Sequence, residues 1–137
     1  MSVFTAAIYS LLATDATLIA LLSDYSGQPP IFTAMPIPEG ARLPWIITEG
    51  EVSNIPFDTK GTEGRELLKD IRCYAEATGS AVDIEAIAER VRTLFHRQEL
   101  TITGFTNIIT LAENILAIDE PDVYGRVVTI RLIVQEA

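Results

Sequence analysis

At 137 residues, with a net charge of −9 and a single cysteine, the chain is long enough for a domain-sized core, and it excludes an internal disulfide or a thiolate metal cluster. Ten lysines and arginines scattered among nineteen acids form no basic stripe, which argues against free nucleic acid as a ligand. No basic n-region opens the chain, Asp15 interrupts its first apolar run, and no run approaches the roughly 20 apolar residues that span a bilayer, a pattern that predicts a soluble protein without a signal peptide.

Residues 1–23 read as two helices. Phe4, Ile8, Leu11 and Leu12 share one helical face, and a straight continuation would put Asp15 on it, where a bare carboxylate is costly. Thr14 and Asp15 suit a break and an N-cap, with Leu18, Ile19 and Leu22 on a second short helix. Residues 24–40 are turn-rich, with Pro29, Pro30, Pro36 and Pro38, and Ile31 and Phe32 suit a short edge strand. After Pro44, residues 45–52 alternate as a strand, with Glu49 and Glu51 on one face as rim charges. Residues 53–65 form a long polar connection containing Pro56, Gly61 and Gly64; a loop of this length inside a compact domain is uncommon and often functional. The Gly61-Thr62-Glu63-Gly64 sequence formally matches a nucleic-acid clamp, but its glutamate would repel phosphate, so the glycines read as flexibility.

Residues 66–78 alternate again. Leu67, Ile71, Cys73 and Ala75 make one face, and the other carries Glu66 and Asp70 among its residues, a carboxylate pair that reads as rim charge. Cys73, on the apolar face, is expected to be a buried, inert thiol. Gly79 and Ser80 break the pattern, and Ser80 with Asp83 resembles a capping box. Ile84, Ile87, Ala88, Val91, Leu94 and Phe95 then recur at helical spacing to about residue 97, with Glu85, Glu89, Arg90 and Arg92 on the outer face. His96, the one histidine, falls at the helix end, where an imidazolium suits the dipole or the ring is simply exposed. Residues 100–104 are short and β-prone. Strands 107–118 and 124–135 follow, joined by the acidic turn Asp119, Glu120 and Asp122, which reads as solvated because it lacks the ligand spacing of a calcium loop. A strand whose apolar face feeds a helix with an apolar stripe predicts an α+β layer: a largely antiparallel sheet of four to five strands, helices packed on one face, in a single domain over residues 1–137. No catalytic, metal-binding or cofactor motif occurs, so the chain is read as a non-enzyme that needs no cofactor.

Four stretches carry a family resemblance: IYSLLATDATLIALLSD, IFTAMPIPEGARLPWIITEGE, DIRCYAEATGSAVDIEAIAERVRTLF and GRVVTIRLIVQE. In this order they span nearly the whole chain, with a helix broken at an acid, a strand entry at Pro44-Trp45-Ile46 and a Gly-led helix after a long strand. The chain resembles the tail-completion, or tail-terminator, family of long-tailed bacteriophages, prophages and gene transfer agents. One departure is that Gly27-Gln28-Pro29-Pro30-Ile31 stands where the family places an arginine before the short strand. The resemblance implies a structural virion protein of the tail and neck, assembled in the bacterial cytoplasm, with no membrane association. It implies a ring of typically six copies that caps the tail tube and presents a surface to the head connector. Implied partners are further copies of the chain, the tail-tube protein and the head-completion protein, with DNA passing through the lumen without specific binding. Heterologous contacts close such rings. The candidate patches are the long loop, with Ile55, Phe57, Asp58, Lys60, Glu63 and Arg65, and the edges of the sheet. Two rival readings are another neck component, such as a head-completion or stopper ring, and a small acidic protein-binding module.

Overall fold

The computed structural model describes residues 2–48, 52–58 and 60–137. Helix α1 (Val3–Thr14) starts at Ser2, whose Oγ accepts the Thr5 N–H at 3.1 Å. Asp15 ends it in an extended conformation and caps α2 (Ala16–Leu21), its Oδ2 accepting the Leu18 N–H at 2.8 Å. The chain continues through β1 (Ile31–Phe32), β2 (Trp45–Ile47), β3 (Ser53–Pro56), β4 (Gly64–Glu76), α3 (Val82–Phe95), β5 (Phe105–Ala117) and β6 (Val123–Glu136).

The strands make one six-stranded sheet in the order β1-β2-β4-β6-β5, with β3 also paired to β4. β1 runs parallel to β2, and every other pairing is antiparallel. β2 and β3 lie end to end along the same side of β4, against residues 72–74 and 65–68. This raises the strand count above the four to five expected. The stretch expected to be loop contributes β3, because Ser53, Asn54 and Ile55 are paired with Leu68, Leu67 and Glu66. The hairpin loop shrinks to residues 57–63. Glu49 and Glu51 lie outside the described residues.

The strand-to-helix unit packs as its periodicity predicts. Leu67, Ile71, Cys73 and Ala75 of β4 and Val128, Ile130, Leu132 and Val134 of β6 form one core with Ile84, Ile87, Val91 and Phe95 of α3 and Phe4, Ile8 and Leu12 of α1. One core position is charged. Lys69 is fully buried, and among its interactions its Nζ donates to Thr5 Oγ1 of α1 at 2.9 Å. Cys73 is buried as expected, and burial pushes its thiol up to about 12.

Four local expectations are corrected. Arg90 is not a solvent-facing charge: its Nε and Nη2 grip Asp15 at 2.9 and 2.7 Å, tying α3 to the α1–α2 break. Ser80 and Asp83 form no capping box, since the N-cap is Ala81 without a side-chain bond and Ser80 Oγ accepts only the Val82 N–H, at 3.4 Å. Residues 100–104 make one isolated bridge, Ile102 to Phe105, in place of a strand. Gly64 is buried at the start of β4, so it is a crowded position and not a flexible one.

Candidate functional site

The helices cover one face of the sheet and leave the other without a helical layer. On that open face the rows run across the strands. Ile55, Glu66, Ile133 and Ile109 form one row, and Ser53, Leu68, Arg131 and Leu111 the next. Arg131 makes ion pairs with Glu66 on one side and Glu113 on the other, and Thr129 donates to Asp70 at 2.8 Å. The Glu66 carboxylate is thus paired with a cation and the Asp70 carboxylate hydrogen-bonded by a hydroxyl, so both belong to a cross-strand polar ladder and are not rim charges.

The six residues singled out in the long loop gather at one corner. Ile55 and Phe57 are 49% and 44% exposed, at the end of β3 and just beyond it. Phe57 is held by its N–H to Gly64 O at 2.9 Å, and Asp58 Oδ1 accepts the Gly64 N–H at 3.1 Å. Arg65 Nη1 donates to Asn54 Oδ1 at 3.3 Å, and the Glu63 carbonyl accepts the Glu136 N–H at 2.8 Å. Asp58, Glu63 and Arg65 line an open, mainly polar groove of about 490 Å³ with Glu136 at its side. Lys60 is exposed in the same loop but does not line the groove. Charges of both signs around an open groove suit recognition more than reaction chemistry, which needs a shielded cleft.

The opposite edge carries residues that periodicity missed. β5 is the edge strand, and its register slips between Asn107 and Ile109 and again between Ala112 and Asn114. The first bulge leaves Ile108 unpaired, so Ile108 and Ile109 are both turned outward, 53% and 39% exposed, with Leu116 at 55% farther along. The available signal was the consecutive Ile108-Ile109 pair, which cannot fit strict alternation. A cleft of about 300 Å³ opens beside them, bounded by Arg97, Glu99 and Thr110.

Two residues expected to be inert charges are engaged. His96 is not left to solvent at the helix end: its Nδ1 accepts the Ala112 N–H at 3.2 Å and clamps the end of α3 to β5. Asp119 is not simply solvated, since Oδ1 accepts from Arg126 Nη1 at 2.5 Å and from the Gly125 N–H at 3.3 Å. Among the described residues, no group of three or more His, Cys, Asp or Glu side chains could hold a metal, and no helix is long and apolar enough to cross a membrane.

This architecture has a match among solved structures. A chain from the virion of a native gene transfer agent particle superposes with a TM-score of 0.79, at 19% identity, over 96% of this chain and 93% of that one. No curated protein matches. The family model described as "Tail completion protein gp17" matches residues 6–135, and the chain belongs to that family, among the structural proteins of the phage tail.

Proposed function

We propose that the protein closes as a ring, six copies in the form the family resemblance implies, over the end of a finished tail tube. There it stops tube polymerisation and offers the joining surface to the head connector. Its work is shape recognition without catalysis. The observation that carries this reading is the pair of unlike apolar patches on opposite edges of one sheet: Ile55 and Phe57 beside β4, and Ile108 and Ile109 on β5. Two different patches on opposite sides of a protomer are what a head-to-tail contact requires, whereas a two-fold dimer uses one patch twice. A likeness to a chain of a gene transfer agent virion supports placement in such a particle. DNA would pass through the lumen of the ring without specific binding.

The test is electron microscopy of particles assembled without this chain. Tubes of unregulated, excessive length are expected. Tails of normal length detached from heads would instead assign the chain to another neck ring, and normal joined particles would remove it from the neck altogether.

A further inference from the structure

We infer that neighbouring copies of this chain join by Phe57 of one copy entering the cleft beside Ile108 and Ile109 of the next. The inference rests on the ring reading and names its contact. Phe57 is the only aromatic among the large apolar side chains exposed in the described residues, and an aromatic anchor in a pocket is the usual centre of a protein interface. The cleft of about 300 Å³ on β5 offers an apolar wall, Ile108 and Ile109, and exposed charges of both signs, Arg97 and Glu99. The loop that carries Phe57 has the matching pair, Asp58 adjacent and Lys60 three residues on. Asp58 is already oriented by its bond from the Gly64 N–H. With Phe57 seated against the isoleucines, the flanking Asp58 and Lys60 of one copy have Arg97 and Glu99 of the next as opposite-sign partners.

The level of the two patches on the sheet adds a geometric argument. Ile55 and Ile109 stand in the same cross-strand row, through Glu66 and Ile133. Phe57 lies two residues beyond Ile55, level with Gly64, Gln135 and Thr106, so a contact between the two edges steps along the strands by about 7 Å at most, within reach of a side chain that leans toward the Ile109 row. Rotation without translation closes into a ring, and rotation with translation gives an open filament. One aromatic and its flanks are small beside the roughly 800 Å² per partner of a standard stable interface, so free copies associate weakly and the finished tube supplies the rest.

Paired cysteine variants test this. Cys73 is fully buried and stays silent toward maleimides in the folded chain. Lys60→Cys and Gln98→Cys, exposed positions beside Phe57 and in the cleft that leave Phe57, Ile108 and Ile109 in place, are purified as full chains, checked for native circular dichroism, and treated with a short bis-maleimide, alone and mixed, with and without tail-tube protein. The mixture is expected to give crosslinked dimers and each variant alone only monomer. The double variant is expected to give a ladder that ends in one closed species. Phe57→Ala is expected to weaken copy-to-copy association by about thirtyfold, as for a hot-spot residue. Crosslinking of either single variant with itself at the level of the mixture would overturn the head-to-tail contact. A ring seen by electron microscopy in which the mixture fails to crosslink would overturn this contact and leave the ring standing. A chain that stays monomeric on tail tubes and never crosslinks would overturn both.

Discussion

Replacing Gly64 by alanine puts a methyl group where two backbone oxygens already stand. A Cβ built there lies 2.3 Å from the Phe57 carbonyl oxygen and 2.9 Å from that of Val134. Both neighbours are main chain, one just past the end of β3 and one on β6, so neither can swing aside as a side-chain tip would. Relief requires opening the hairpin, with loss of the Phe57 N–H to Gly64 O bond of 2.9 Å and the Gly64 N–H to Asp58 bond of 3.1 Å. Overpacking of this kind costs about 1–3 kcal/mol, and for a chain of this length each kcal/mol lowers the melting temperature by about 4 °C. β3 is half-buried at Ser53 and exposed beyond it, so the hairpin can release before the core does. Gly64→Ala should therefore melt about 4–12 °C below the parent. In native-state hydrogen exchange the Phe57 amide should lose protection while amides of α3 and β6 keep theirs. A variant that melts at the parental temperature with Phe57 still protected would refute the crowding argument.

Asp15 both caps α2 and holds Arg90, and the Arg90 bonds keep its carboxyl below the ordinary 3.8, with the Leu18 N–H assisting against the cost of burial. A depressed carboxyl contributes stability that is present above its unfolded value and disappears as pH falls through the folded one. Denaturant titrations from pH 6 downward should thus show a loss on the acid side that Asp15→Asn lacks. Asp15→Ala should fall below Asp15→Asn by about 0.5–2 kcal/mol for the missing cap, and equal stabilities would refute a capping role. Cys73 has the opposite sign. Its thiol ionises near 9.0 when unfolded and at about 12 when buried, so between those values the unfolded chain has released a proton that the native chain keeps. Stability attributable to Cys73 should then fall by about 1.4 kcal/mol per pH unit above pH 9. Parallel pH curves for the parent and Cys73→Ala would contradict this.

What could be read from the sequence was governed by periodicity, and the misses are where local order is set across the sheet. The α3 stripe and the alternation of β4 are intrinsic to the chain, so Ile84, Val91, Leu67 and Ile71 fall in the core as expected. The break at Asp15 was legible because a carboxylate on an apolar face has few other uses, but its partner Arg90 lies far along the chain and looks like surface in any local window. Lys69 occupies a core-facing register, yet nothing nearby points to Thr5, which is brought to it only when α1 packs on β4. Ser53-Asn54-Ile55-Pro56 has weak strand propensity and pairs because β4 offers it a free edge. The bulge at Ile108 is a property of the β5–β6 register. Hence loop length and composition singled out the six loop residues, and the sheet edges could be named only as edges, with nothing in the sequence pointing to Ile108 and Ile109 in particular.

The two sheet edges are guarded against the simplest mode of self-association. Proline, with no N–H to offer, ends β3 at Pro56, and Pro29 and Pro30 precede the two-residue β1. On the other side the Arg97 N–H is spent on Thr110 O at 2.7 Å, His96 occupies the Ala112 N–H, and two bulges bend the strand. Devices of this kind suppress edge-to-edge strand pairing, which would otherwise extend without limit. What remains outward on both edges is side chains, and side chains in a pocket specify a single partner surface and a single angle. Net charge works in the same direction. In the proposed ring six copies at −9 each would bring about −54 together, a Coulomb repulsion that would oppose casual assembly. In the proposed ring, open strands blocked, apolar patches small and charge unfavourable would all oppose association in free solution, so closure would wait for a tube that aligns the copies, which is the discrimination between finished tail and free protein that the proposed role requires.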